Sequence, residues 1–288
     1  FGGFYRHSNK TSQGKRILYL SENDPEFSIN QETKRVKDLY SRKGVRWPLQ
    51  RSSKWYSVDD ILIADSIIST GPKVAKYIEE KYKKPSLYAT CFGIPCSFSP
   101  YIQTDARQVM NILWFGSHGP IHKGLDLVIE AVGEDKDFKL HVCGVKPSAL
   151  PRYMLRYKNV SFYGFVDISG PQFRRLSQIC SHSILLSASE GISTSMITTM
   201  YAGLIPIISD NFAGYPPPDA IVIAESDMSI DSISNILSKE RLRFISDPSQ
   251  AKQKIISQWA WSQYNVKAFS EEIRECIRTI YYSDPPCK

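Results

Sequence analysis

The sequence predicts an α/β fold built on parallel sheet, and three observations carry that expectation. Short apolar runs alternate with segments of helical period over most of the chain; strands buried on both faces read as such runs, and helices make the crossovers between them. The 288 residues, at about 150 per domain, point to two domains. Two of the apolar runs end in loops of small residues that open into helices, which is how a doubly wound sheet builds a crevice at its carboxyl edge.

The elements follow in order. Arg16 to Ser21 reads as a strand, and the helix after it carries Val36, Leu39 and Tyr40 on one side. Ser66 to Ser69 and Ser86 to Thr90 read as two more strands, separated by a helix with Val74, Tyr77 and Ile78. Phe92 to Gln108 is rich in Pro, Ser and Thr without helical period and reads as a linker. Beyond it, strands Asn111–Phe115, Lys139–Cys143, Val160–Tyr163, Ser183–Ser187 and Leu204–Ser209 are expected. The helices between them span Leu125–Val132, the stretch of Phe173, Leu176 and Cys180, and Met196–Tyr201. The division is therefore 1–108, 109–250 and 251–288; the last part reads as one or two helices broken near Trp259, Trp261 and Tyr264, packing back toward the N-terminal part.

Composition sets limits on function. The hydrophobic share of 42% and charged share of 23% suit a globular domain, and no run approaches the roughly 18 to 20 apolar residues that span a bilayer. A net charge of +7 favours anionic partners: a nucleotide, a phospholipid surface or nucleic acid. The six cysteines lack CxxC spacing and most sit in apolar segments, so a reducing, cytoplasmic compartment is expected. The sequons at Asn9 and Asn159 read as chance matches. The chain opens on Phe1-Gly2-Gly3 without an initiator Met, as a piece of a longer protein would.

Two loops carry the chemistry. Gly116 to Gly124 follows a strand, and its helix has Leu125, Val128, Ile129 and Val132 at helical spacing; glycines admit close backbone approach, and Lys123 sets a cation beside a helix start. Such a loop suits a diphosphate. The second loop, Ala188 to Ser195, places Glu190 where it can accept hydrogen bonds from hydroxyls, while the amides of Ser193, Thr194 and Ser195 can meet phosphate oxygens at a helix N-terminus.

Gly116 with Lys123-Gly124 and the helix after them, then Glu190-Gly191 followed by Met200 to Ile208, resemble the donor domain of retaining GT-B glycosyltransferases of the family 4 type. The resemblance is strong from Asn111 to Asp210 and faint before the linker. It implies a Rossmann-like donor domain preceded by a partial or short Rossmann-like acceptor domain, with Lys123 on the donor diphosphate and Glu190 on the transferred sugar. It further implies that Gly191, Ile192 and Ser193 to Ser195 line the donor, and that the loops with Gly144 and Val166 flank the base. The chain departs from the family in two places: Ser117 and His118 stand where an Arg is common, and Thr198 stands where a second Glu binds the ribose. The reaction implied is transfer from a nucleotide-diphosphate sugar to a glycan, lipid-linked or other hydroxyl acceptor, with no cofactor and no metal.

Other features have plainer readings. Asp135-Lys136-Asp137 matches a metal-binding string of another glycosyltransferase fold but reads here as a solvated turn. The cations Lys34, Arg35, Lys37, Arg42, Lys43, Arg46, Arg51 and Lys54, interleaved with Tyr40, Trp47, Trp55 and Tyr56, fit either a peripheral membrane patch on the cytoplasmic face or a solvated helix and loop. No nucleic-acid module accompanies them. The alternative to an enzyme is a non-catalytic nucleotide-sugar-binding or scaffolding fragment.

Overall fold

The computed structural model describes residues 14–51, 56–96, 109–214, 216–247 and 250–282. The Asn9 sequon, Lys54, Trp55, Cys287 and positions 97–108 of the linker lie outside the described residues.

The N-terminal part runs β1 (Ile17–Leu20), α1 (Pro25–Lys43), α2 (Val58–Ile63), β2 (Ser66–Ser69), α3 (Pro72–Tyr82) and β3 (Ser86–Tyr88). Its strands form a parallel sheet in the order β1-β2-β3. Asp24 starts α1 by accepting from the Phe27 amide, with Pro25 in the first helical position, and Gly44 ends it in the left-handed region at φ 67°. Ser57 and Asp60 close a reciprocal capping box on α2.

The second part runs β4 (Met110–Phe115), α4 (Leu125–Val132), β5 (Phe138–Cys143), β6 (Val160–Gly164), α5 (Pro171–Ile179), β7 (His182–Leu185), α6 (Thr194–Tyr201), β8 (Ile205–Ser209), β9 (Ile221–Ile223) and α7 (Ile230–Ser246). Six parallel strands lie in the order β6-β5-β4-β7-β8-β9. Counted along the chain that is 3-2-1-4-5-6, the doubly wound order, and its direction reverses between β4 and β7. All residues of β4, β7 and β8 are buried, as apolar runs covered on both faces require.

α8 (Ala251–Gln263) packs on α6 and β8, and Ser257 donates to the Tyr201 carbonyl. α9 (Val266–Tyr282) reaches the first sheet: Cys276 and Ile280 pack with Ile68 and Ala89, and Glu272 accepts both the amide and hydroxyl of Thr90 at 2.6 Å.

Some expectations are corrected. Tyr40 is 49% exposed, because the inner face of α1 is Glu32, Arg35 and Leu39. Arg35 finds its partner on the second domain, the Leu186 carbonyl, Glu32 accepts the amides of Gln50 and Arg51, and Leu39 joins the larger core. Cys180 is an extended cap rather than a helical residue. β9 adds an edge strand after Pro216, Pro217 and Pro218, too short to show a period. Among the described residues no helix is long and apolar enough to cross a membrane.

Candidate functional site

The loops after β4 and β7 flank the point where the strand order reverses, so the topology brings residues 116–124 together with 186–193. Trp114 anchors the first loop from below: its ring is fully buried and its indole N–H reaches the Lys123 carbonyl at 3.4 Å. Within the loop, Lys123, Gly124 and Leu125 donate their amides to Gly119, Ile121 and Pro120. These amides stabilise a tight turn, so the positive charge of the loop comes from the Lys123 side chain.

His122 joins the loops. Its carbonyl accepts from the Ala188 amide, and its Nε2 lies 2.6 Å from the Ser189 carbonyl and so carries the proton. Burial depresses its pKa to about 4, which leaves the ring neutral.

The centre is an ion pair. Lys123 Nζ lies 2.6 Å from Glu190 Oε2, which also accepts from the Ser187 hydroxyl at 2.9 Å, and the two charged side chains are only 6% and 11% exposed. Arg51 approaches the other oxygen, Oε1, at 3.7 Å. Burial by itself would raise the Glu190 carboxyl, but the charges of Lys123 and Arg51 outweigh it and hold its pKa at about 2. A small recess of about 10 Å³ opens beside it, lined by Glu22, Ser28, Arg51, His122, Ser189 and Gly191. That is about the room a single water needs. A side chain on Gly191 would meet Thr70 Oγ1 at 2.4 Å.

The other residues named from sequence are placed as follows. Ser193 is buried, Thr194 exposed and Ser195 half-buried at the start of α6, which has no side-chain cap. Ile192 is buried and its carbonyl accepts from Cys91 Sγ. Gly116 and Gly144 serve packing: a Cβ on Gly144 would lie 1.8 Å from the Gly116 carbonyl oxygen, and one on Gly116 would enter the Trp114 ring. Val166 points into the core, whereas Phe165 beside it is 87% exposed at the carboxyl end of the sheet. Thr198 is 1% exposed; its hydroxyl donates to the Thr194 carbonyl at 2.8 Å and accepts from the Ile94 amide at 2.9 Å. His118 donates to the Gln50 carbonyl at 3.0 Å. Sequence reasoning missed Glu22 and Phe165 and read Arg51 only as part of a basic run.

That basic run is largely an interdomain contact. Arg42 pairs with Asp126 at 2.6 Å and with Glu130, Lys43 pairs with Glu130 at 3.0 Å, and Lys34 pairs with Glu225 at 2.8 Å. Arg35 donates to the Leu186 carbonyl at 3.0 Å from a buried position. Lys37, Arg46, Tyr40 and Trp47 line an outer groove instead. Asp135 and Asp137 form the turn between α4 and β5, and Asp137 pairs with Arg241 at 3.0 Å.

Residues 110–239, a little under half of the chain, match the family described as glycosyl transferases group 1. Among solved structures, WaaG, a glycosyltransferase involved in lipopolysaccharide biosynthesis, aligns over 97% of this chain and 80% of its own, with a TM-score of 0.61 and 15% identity. A sucrose-phosphate synthase from Thermosynechococcus elongatus aligns over 78% of this chain with a TM-score of 0.60 and 16% identity. The fold is GT-B. The chain spans 61% of the length of that synthase. HepE from Anabaena, solved with UDP-glucose, shares this GT-B fold over 79% of the chain and 70% of its own, with a TM-score of 0.57 and 12% identity. No curated protein sequence matches. In the GT-B frame the loops bearing Lys123 and Glu190 lie in the cleft between the two domains.

Proposed function

We propose that this chain transfers a sugar from a nucleoside diphosphate sugar to an acceptor hydroxyl, with retention at the anomeric carbon and without a metal, in the manner of family 4. The observation that carries the reading is the Lys123–Glu190 pair, drawn from two loops at the switch point into one buried site. Cleavage of the donor builds negative charge on the leaving diphosphate, and a preorganised cation in a site of low dielectric stabilises it. Lys123 fills that role.

Glu190, with its carboxyl near 2, is a poor general base at neutral pH and a good acceptor of hydrogen bonds from sugar hydroxyls. The acceptor proton then passes to the leaving phosphate oxygen, and no protein nucleophile takes part. Phe165 offers its ring as a stacking platform for the base, and Thr194 and Ser195 offer α6 amides to the phosphates. The acceptor is a glycan, a lipid-linked sugar or another hydroxyl compound, and the reaction takes place in the cytoplasm.

The test is incubation with a panel of nucleotide sugars, following nucleoside diphosphate release with and without acceptors and with a chelator present. Turnover that survives the chelator is the expected result. A second reading, a non-catalytic nucleotide-sugar-binding piece, is favoured by the three strands described in the N-terminal sheet; donor binding without release for every donor would establish it.

Two further outcomes are expected. Among uridine, guanosine, adenosine and thymidine diphosphates, one raises the melting temperature most, since a ligand at 100 times its Kd stabilises by about 2.7 kcal/mol. Phe165→Ala weakens that ligand about 5- to 10-fold, by the roughly 1 kcal/mol or more that base stacking supplies, and leaves the melting temperature of the free protein unchanged. Unchanged affinity would remove Phe165 from the donor site.

A further inference from the structure

We infer that Arg51, which belongs to the N-terminal domain, is the second cation of the donor diphosphate site, taking the place that Ser117 and His118 leave uncharged in the loop after β4. The inference rests on the reading of that loop as the diphosphate site. Three contacts press Arg51 onto it. Glu32, itself buried, accepts the amides of Gln50 at 2.7 Å and Arg51 at 3.0 Å, which fixes the backbone. His118 donates to the Gln50 carbonyl and so ties the same segment to the donor loop.

The Arg51 stem then occupies the space above Gly119: a Cβ there would lie 2.4 Å from Arg51 Cγ, and Gly119 sits at φ 77°, where a side chain is strained in any case. The glycine is the condition for the arginine to lie flat on this loop.

The guanidinium shares Glu190 with Lys123. Its Nη2 is 3.0 Å from Glu22 Oε1 and 3.7 Å from Glu190 Oε1, while Lys123 holds the other oxygen of Glu190. The two cations thus hold the two oxygens of one carboxylate, and Arg51 and Glu190 both line the recess beside it. An anion that reaches Lys123 is within reach of Arg51, whose planar fork suits two phosphate oxygens where the Lys ammonium gives a single point charge. Glu22 and Glu190 hold the fork in place; a diphosphate replaces their share of the charge, and Glu190 turns to the sugar. The arginine that a donor loop would carry in its own sequence is supplied here from the facing domain.

The test measures binding of the four nucleoside diphosphates and of the corresponding nucleosides to the full chain, its Lys123→Ala variant, and the variants Arg51→Gln and Arg51→Lys. Arg51→Gln is expected to weaken the preferred diphosphate about 10-fold or more and to leave the nucleoside unchanged, with partial recovery in Arg51→Lys. If Arg51→Gln melts too early to titrate, Arg51→Lys keeps the charge on Glu22 and Glu190 but lacks the fork and makes the comparison alone, with a loss confined to the diphosphate. Diphosphate affinity unchanged by the Arg51 variants but reduced by Lys123→Ala would overturn the inference and leave the donor site standing. Equal loss for nucleoside and diphosphate would make Arg51 a structural strut and likewise overturn it. If no diphosphate binds the unmodified chain, the donor-site reading itself fails and takes this inference with it.

Discussion

Arg42→Ala is expected to destabilise the protein by about 3–5 kcal/mol, the cost of leaving a buried charge without its partner. Asp126 is fully buried and Glu130 nearly so, and Arg42 touches both from across the domain boundary. Burial raises the Asp126 carboxyl, against the pull of Arg35 and Arg42, so removal of one guanidinium leaves a carboxylate that its surroundings disfavour. A drop in melting temperature on the order of 10 °C follows. Lys34→Ala breaks a pair to the same domain whose members are 65% and 32% exposed, and should cost less than about 1 kcal/mol. Thermal and urea denaturation of the two variants checks the contrast; equal, small effects would mean that α1 is not fastened to α4 by charge.

The second domain was legible because its elements obey local rules. α4 spans Leu125–Val132 as its spacing indicates, since one face repeats at 3.6 residues and Gly124 and Gly133 bound it. The strands around it are apolar runs long enough to stand out. β9 was not legible, having three residues and no period. The face of α1 was misread for another reason: hydrophobic period locates a core only where the buried surface is apolar, and α1 buries Glu32 against the amides of Gln50 and Arg51 and Arg35 against the Leu186 carbonyl of the other domain.

The candidate site divides along the same line. Lys123 and Glu190 could be named because each lies in a loop with a local signature, and the strand order brings the loops together. Arg51 and Glu22 lie far earlier in the chain, in stretches that look like ordinary basic and turn sequence; only tertiary packing makes them neighbours of Glu190. The glycines show the limit of motif reading. Gly116 and Gly144 let the ends of two parallel strands lie close, and Gly119 admits an arginine stem, so small residues in a loop mark close approach without telling what approaches. Thr198 teaches the same about hydroxyls, since its partners are the α6 carbonyl of Thr194 and the amide of Ile94 in the linker.

The Lys123–Glu190 pair should show itself in both catalysis and pH dependence. Lys123→Ala is expected to lower kcat by about 10²- to 10³-fold, the usual cost of one preorganised donor to a developing oxyanion, with a smaller loss in donor affinity. Glu190 shifts from an ordinary 4.5 to about 2 in the folded chain, so its pairing stabilises the fold fully above about pH 5 and the contribution is lost as the pH falls toward 2. A shift of that size corresponds to stabilisation on the order of 3 kcal/mol at neutral pH. Glu190→Gln keeps the size and an acceptor oxygen but not the charge, and strands Lys123 in a buried site. The stability gap between the unmodified chain and Glu190→Gln should therefore be large at pH 7 in urea unfolding and shrink markedly at pH 3. A gap of the same size at both values would mean that the ion pair does not set the ionisation of Glu190, and the assignment of Lys123 as its charge partner would fall with it.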